Sequence, residues 1–113
     1  MKKVEAIIRT EKLEEVKNAL AQIGYIGLNV VAITGRGRQR GLTYTGRGEI
    51  SYAVDMLPKT KLEVVAQDSD VERVVQTIVQ TARTGNVGDG KVFIIPVEEA
   101  VRVRTGERGR DAL

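Results

Sequence analysis

Two stretches of the chain repeat one order of patterns, strand then helix then strand, and that repetition narrows the fold more than any composition figure. In residues 2–9, Val4, Ala6 and Ile8 alternate, with Ile7 beside them, and the segment reads as a strand. Thr10 stands where a helix cap belongs, followed by Glu11, Glu14 and Glu15 near the positive end of the helix. Leu13, Val16, Ala19, Leu20 and Ile23 recur at helical spacing, and Gly24 ends the helix. Residues 28–34, with Val30, Val31 and Ile33, form the second strand. The pattern returns as a strand at 61–66, a helix opened by Asp68 or Ser69 and striped by Val71, Val74, Val75, Ile78, Val79 and Ala82, and a strand at 92–96. This order describes an α+β, ferredoxin-like βαββαβ sandwich with a long loop between strands 2 and 3.

The helices of such a sandwich cover one face of the sheet, and the other face also needs cover. Ile7 with Ile8, Val30 with Val31, Val64 with Val65 and Ile94 with Ile95 put apolar side chains on both faces. Strands of that kind face water only at a cost, so the chain is expected to assemble with further subunits. At 113 residues it forms one domain, residues 1–113, with a C-terminal segment at 101–113. Cysteine and histidine are both absent, which excludes a disulfide framework, a Cys/His zinc site, a cysteine nucleophile and a Ser-His-Asp triad. Glu5, Arg9 and Glu11 interrupt any signal-peptide apolar region, and no stretch approaches the roughly 18–20 apolar residues of a membrane span. The expectation is a soluble cytoplasmic protein.

Residues 35–60 are the anomaly, since a loop of roughly 25 residues inside a small domain is uncommon and usually functional. A disordered hairpin of no consequence, or simply two further strand fragments, would be the plainer reading. The net charge is only +3, but Arg36, Arg38, Arg40 and Arg47 lie between Gly35 and Gly48 with no acid among them. Glycines there allow close backbone approach and arginines offer bidentate contacts, so the segment suits a phosphate. A solvated basic turn or an RNA-binding segment are alternatives, although no aromatic residue lies between 35 and 43 for base stacking.

Gly85-Asn86-Val87-Gly88-Asp89-Gly90-Lys91-Val92 comes within one residue of a Walker A loop, but valine replaces the hydroxyl and the segment runs from helix to strand. Its glycines can turn backbone N–H groups toward an anion, with Lys91 adding a charge. Taken alone it reads better as a helix-to-strand connection with Gly85 as the left-handed cap. Val101-Arg102-Val103-Arg104 alternates, placing both arginines on one face of a strand. Three basic segments without a base or nucleophile point to binding of a polyphosphate, not to catalysis.

With these residues in hand, the chain resembles the PII nitrogen-regulatory signal proteins over nearly its whole length. Thr84-x-x-x-Gly88-Asp89-Gly90-Lys91-Val92-Phe93-Ile94 matches the family's second signature, and residues 35–41, Leu57-Pro58-Lys59 and residues 101–107 also agree. The resemblance implies a homotrimer whose inter-subunit clefts bind ATP or ADP, with magnesium-ATP completing a site for 2-oxoglutarate. It implies that Gly37, Arg38 and Gln39 meet the phosphates, that Gly88, Asp89, Gly90 and Lys91 hold the phosphate and ribose side, and that Arg102 and Arg104 reach in from a neighbouring subunit. Gly27, Asn29, Gly35, Val65 and Thr84 complete the nucleotide set, with Asn29 standing where many members have threonine. Gln39 would help ligand magnesium, and Gln39, Gly41 and Lys59 would serve 2-oxoglutarate.

Residues 36–56 would be the effector loop (the T-loop), inserted into a partner such as an ammonium transporter, a nitrogen-metabolism enzyme or nitrogenase. Nucleic acid is not expected as a partner, and a membrane only through one. Tyr52 aligns with the family's modified tyrosine, although Gly46 replaces the first tyrosine of that motif and the run is one residue longer. An ATP/ADP sensor indifferent to 2-oxoglutarate, or a nitrogenase-associated member, are the alternative functions.

Overall fold

A computed structural model describes residues 1–36, 41–44, 51–54 and 56–113, the two short segments as backbone. Among the described residues, six strands and two α-helices follow in the order β1 (Lys2–Ile8), α1 (Leu13–Gln22), β2 (Asn29–Gly35), β3 (Gly41–Tyr44), β4 (Ser51–Val54), β5 (Leu57–Ala66), α2 (Val71–Ala82) and β6 (Gly90–Pro96). Strands β2-β5-β1-β6 form one sheet in that order, every pair antiparallel. β3 and β4 pair separately as a two-stranded ribbon. The fold is the α+β ferredoxin-like sandwich that the repeated pattern predicts.

Alternation decides which side of each strand is buried. Val4, Ala6 and Ile8 of β1 and Leu62, Val64 and Ala66 of β5 point at the helices. They meet Val16 and Leu20 of α1 and Val71, Val74, Ile78 and Ala82 of α2 in one continuous core. The helices cover the middle of the sheet, so the outer strands β2 and β6 contribute no fully buried residue. On the open face lie Ile7, Val31, Val65, Phe93 and Ile95 around an ionic centre of Lys3, Glu5, Lys61 and Glu63.

Several local expectations change. Thr10 does not cap α1: the helix is entered through a 3-10 turn over Thr10–Lys12, and the Thr60 hydroxyl donates to Thr10 Oγ1 at 3.0 Å. A second 3-10 turn, Asp68–Asp70, precedes α2, and Asp68 meets the amino group of Met1 at 2.9 Å instead of capping. β5 begins at Leu57, four residues before the expected start, because Lys59 and Lys61 lie on the open face while Thr60 and Leu62 turn inward. Pro58 is tolerated one residue into the strand, where a lost N–H matters least. Part of the expected long loop is therefore strand, and β3 and β4 add the fragments of the plainer reading.

Gly85 is not the cap of α2. Arg83 is already extended (φ −66°, ψ 132°), so the helix stops before it. Residues 101–104 are not a strand either: Val101 bridges Arg108, residues 103–105 turn, and the Arg102 N–H donates to the Glu107 carbonyl at 2.8 Å. Among the described residues, no helix is long and apolar enough to cross a membrane.

Ile78 is fully buried between α2 and the sheet. Ile78→Ala should cost about 2–5 kcal/mol through lost contacts and a residual cavity. Urea unfolding measures this, and a change under ~1 kcal/mol would place the centre of the core elsewhere.

Candidate functional site

The connection from α2 to β6 closes on one carboxylate. Asp89 Oδ2 accepts the backbone N–H groups of Thr84 and Gly85, each at 2.9 Å. Its Oδ1 accepts the Thr84 hydroxyl at 2.5 Å and Arg9 Nε at 3.0 Å. Hydrogen bonds from Thr84 above all, with Arg9 and Gly85 adding to them, hold the Asp89 carboxyl well below the usual carboxylate range. A group so occupied is a poor general base and has no proton to give at neutral pH.

Glycine makes the loop possible at two places. Gly88 and Gly90 have φ of +100° and +105°, in the left-handed region. At Gly90 a Cβ would also lie 1.7 Å from the Ile7 carbonyl oxygen, so only glycine lets β6 start against β1 there. Arg9 Nη2 donates to the Val87 carbonyl at 2.8 Å, and Lys59 Nζ donates to the Gly88 carbonyl. Burial, with Arg9 close by, pushes the Lys59 ammonium below its ordinary pKa. Lys91 lies one residue on in β6, opposite Ile7, and no acid pairs with it among the described residues. Gly35, opposite Leu57, belongs to this end of the sheet. The result is a cluster of cations beside a loop with left-handed glycines, suited to an oxyanion.

A second group forms at the other end of the sheet. Gly27, Asn29 and Val65 line a cavity of about 910 Å³ with Lys3, Tyr25, Glu63, Arg110 and Leu113. The Tyr25 hydroxyl donates to Asp70 at 2.5 Å, and its burial raises its pKa. Arg102 stands at the margin: its guanidinium reaches Glu107 Oε1 at 3.3 Å and the Leu113 carbonyl at 3.2 Å. Arg104 is exposed in the adjoining turn.

Lys59 and Val65 lie on one strand six positions apart, so at about 3.3 Å per residue the two groups are roughly 20 Å apart within a chain. The predicted residues thus fall into two sets: Gly35, Lys59, Thr84, Gly88, Asp89, Gly90 and Lys91 at one end, and Gly27, Asn29, Val65 and Arg102 at the other. Gly37, Arg38 and Gln39 lie outside the described residues. Gly41 opens β3 and Tyr52 pairs with Thr43 in the ribbon, both as backbone only. Arg9 was missed by the sequence reading. Its one signal was a cation directly after the last alternating residue of β1, where the loops of this sheet end converge.

A family model described as "Nitrogen regulatory protein P-II" matches residues 1–107. Among curated proteins, the chain is 57% identical to "Nitrogen regulatory protein P-II 2" of Methanothermobacter thermautotrophicus, covering 100% of this chain and 97% of that one. It is 56% identical to "Nitrogen regulatory protein P-II" of Azospirillum brasilense and 54% identical to the protein of that name from Rhodospirillum rubrum, each over the full length of both chains.

Because the folded-state pKa of Asp89 is depressed, its contribution to the loop is complete above the ordinary value of 3.8 and is lost as pH falls below it. Carboxyl shifts followed by NMR should show Asp89 titrating below that value, and an ordinary midpoint would contradict the network. Asp89→Asn should speed amide exchange at Thr84 and Gly85 by about tenfold or more as the loop opens locally. Gly90→Ala should abolish the folded protein, read by circular dichroism.

Proposed function

The chain belongs to the nitrogen regulatory protein P-II family, whose members are trimeric regulators, and on that premise we propose that it binds ATP or ADP in clefts between copies. Magnesium-ATP then completes a site for 2-oxoglutarate, and residues 36–56 pass the state of the site to a partner protein. The observation that carries the reading is the division of the candidate residues between opposite ends of one sheet. Neither end is a whole nucleotide site. A cleft between two copies supplies the phosphate-binding loop from one and the cavity from the other.

The roles follow the chemistry of each end. Gly88, Asp89, Gly90 and Lys91, with Gly35 beside them, receive the phosphates through backbone N–H groups and the Lys91 charge, while Thr84, whose N–H and hydroxyl both go to Asp89, holds the loop in shape. The cavity at Gly27, Asn29 and Val65 lies within the ordinary size range of ligand pockets and takes the nucleoside. Arg102 and Arg104 bring cations from the second copy. Asp89 spends both oxygens on the loop, so magnesium would be held by phosphate oxygens and Gln39. Lys59, part-buried beside Arg9, pairs with a 2-oxoglutarate carboxylate, with Gln39 and Gly41 completing that site.

Nothing in this scheme requires bond cleavage, and the chain works as a binding switch in the cytoplasm. Its target is a protein such as an ammonium transporter, a nitrogen-metabolism enzyme or nitrogenase. Contact with a membrane would come only through that target, and nucleic acid is not a ligand. Tyr52 is the residue in 36–56 open to covalent modification.

Isothermal titration with ATP, ADP and then 2-oxoglutarate, with and without magnesium, tests the reading. The expected result is 2-oxoglutarate binding that needs magnesium-ATP. Nucleotide binding alone would leave an ATP/ADP sensor, and no binding would end the proposal. Losing a charged hydrogen bond costs about 1.5–3 kcal/mol, so Arg102→Ala should weaken ATP by roughly 10–100-fold. Lys59→Ala should weaken 2-oxoglutarate far more than ATP, and equal losses for both would remove Lys59 from the second site.

A further inference from the structure

The open face of the sheet has an ionic centre that the nucleotide reading does not use. Glu5 of β1 stands directly opposite Glu63 of β5, two carboxylates side by side on one face. Like charges in that position repel. Lys3 and Lys61 flank them: Lys3 Nζ lies 3.3 Å from Glu63 and 3.9 Å from Glu5, and Lys61 Nζ lies 3.9 Å from Glu5. The four form a neutral square, already withdrawn from water, with the Glu5 and Glu63 side chains only 20% and 23% exposed. Yet only one of those contacts is close, so each charge keeps capacity for another partner.

The surroundings fix what that partner is. Val31, Phe93 and Ile95 flank the square on the same face and stay 47%, 44% and 37% exposed in a single chain. An apolar rim around a charged centre demands a cover that brings charges of its own, in a complementary arrangement. A second copy carries two lysines and two glutamates in the same pattern, and the trimeric state of the family provides two such copies.

We propose that the Lys3–Glu5–Lys61–Glu63 square is shared between copies in the trimer and determines which chains can join it. Once the rim is covered, two carboxylates with one close lysine contact between them either gain a neighbour's lysine or stay poorly compensated away from water, and a poorly compensated buried charge is unfavourable. A chain with a different charge pattern on this face is thereby rejected. The proposal does not depend on nucleotide or 2-oxoglutarate binding.

The test exchanges all four charges at once: Lys3→Glu, Glu5→Lys, Lys61→Glu and Glu63→Lys. Every pair within the chain survives with its sign reversed, and the net charge is unchanged. The swapped chain should form trimers with itself. When it is unfolded and refolded with mass-tagged wild-type chain, native mass spectrometry should show the two pure trimers, with mixed species below about a tenth of their random-mixing share. Mixed trimers in the binomial ratio would mean that the pairs close within each chain, and would overturn the proposal.

A neutral variant supplies a second arm if the swapped chain does not fold. Glu5→Gln with Glu63→Gln leaves Lys3 of β1, Lys59 and Lys61 of β5 and Lys91 of β6 on the face with no acid of the square, while β2 adds only Asn29, Val31 and Ile33. The double variant should fall apart into monomers that keep their helical circular dichroism. A trimer as stable as the wild type would be equally decisive against the shared square.

Discussion

A single carboxylate gives one end of this molecule its shape. Asp89 gathers two backbone N–H groups, a hydroxyl and a guanidinium, and so ties the turn after α2 to the end of β1 through Arg9. The arrangement converts a flexible glycine-containing segment into a fixed surface before any ligand arrives. It also explains why an acid belongs in a loop suited to anions: its charge is consumed by its own donors, leaving the cations of Lys59 and Lys91 uncancelled. Gly90 makes the closure possible, since any side chain there would strike the Ile7 carbonyl.

Strand register does the rest of the positioning. β5 lies between β2 and β1, so Lys59 and Val65 are set at opposite ends of the sheet by the same hydrogen bonds that pair Val64 with Val4. No loop rearrangement of a few ångströms closes a gap of about 20 Å spanned by a strand of this rise. A composite site of the proposed kind would therefore depend on assembly.

Much of this could be read from the residues. The apolar periods of α1 and α2 and the alternation of β1 located the sandwich, because a buried stripe has few other solutions. The glycines located the connection from α2 to β6, whose backbone is left-handed at Gly88 and Gly90. What escaped were features whose meaning is set by distant partners. Thr10 looked like a cap, but its hydroxyl meets Thr60, fifty positions away. Arg9 looked like the charged end of a strand, but it binds Asp89 and Val87. Pro58 and two lysines concealed the start of β5, since a strand facing the core on one side and charges on the other lacks an obvious apolar run. The 101–104 repeat resembled a strand because nothing local reveals that Glu107 folds back on Arg102.

The two surfaces described for this chain are not independent. Lys3 and Glu63 line the cavity at Gly27 and Asn29 and are also two corners of the ionic square. A ligand in the cavity and a neighbouring copy on the face would draw on the same pair of charges. Linkage then requires that whatever one occupant does to the affinity of the other is returned by the same factor. The α2–β6 loop and its cations lie at the other end of β5, remote from these charges, so in the proposed scheme such coupling would fall on the side of the Gly27–Asn29 cavity. Ligand and assembly would then meet at Glu63, which faces Glu5 across one strand boundary and Asn29 across the other.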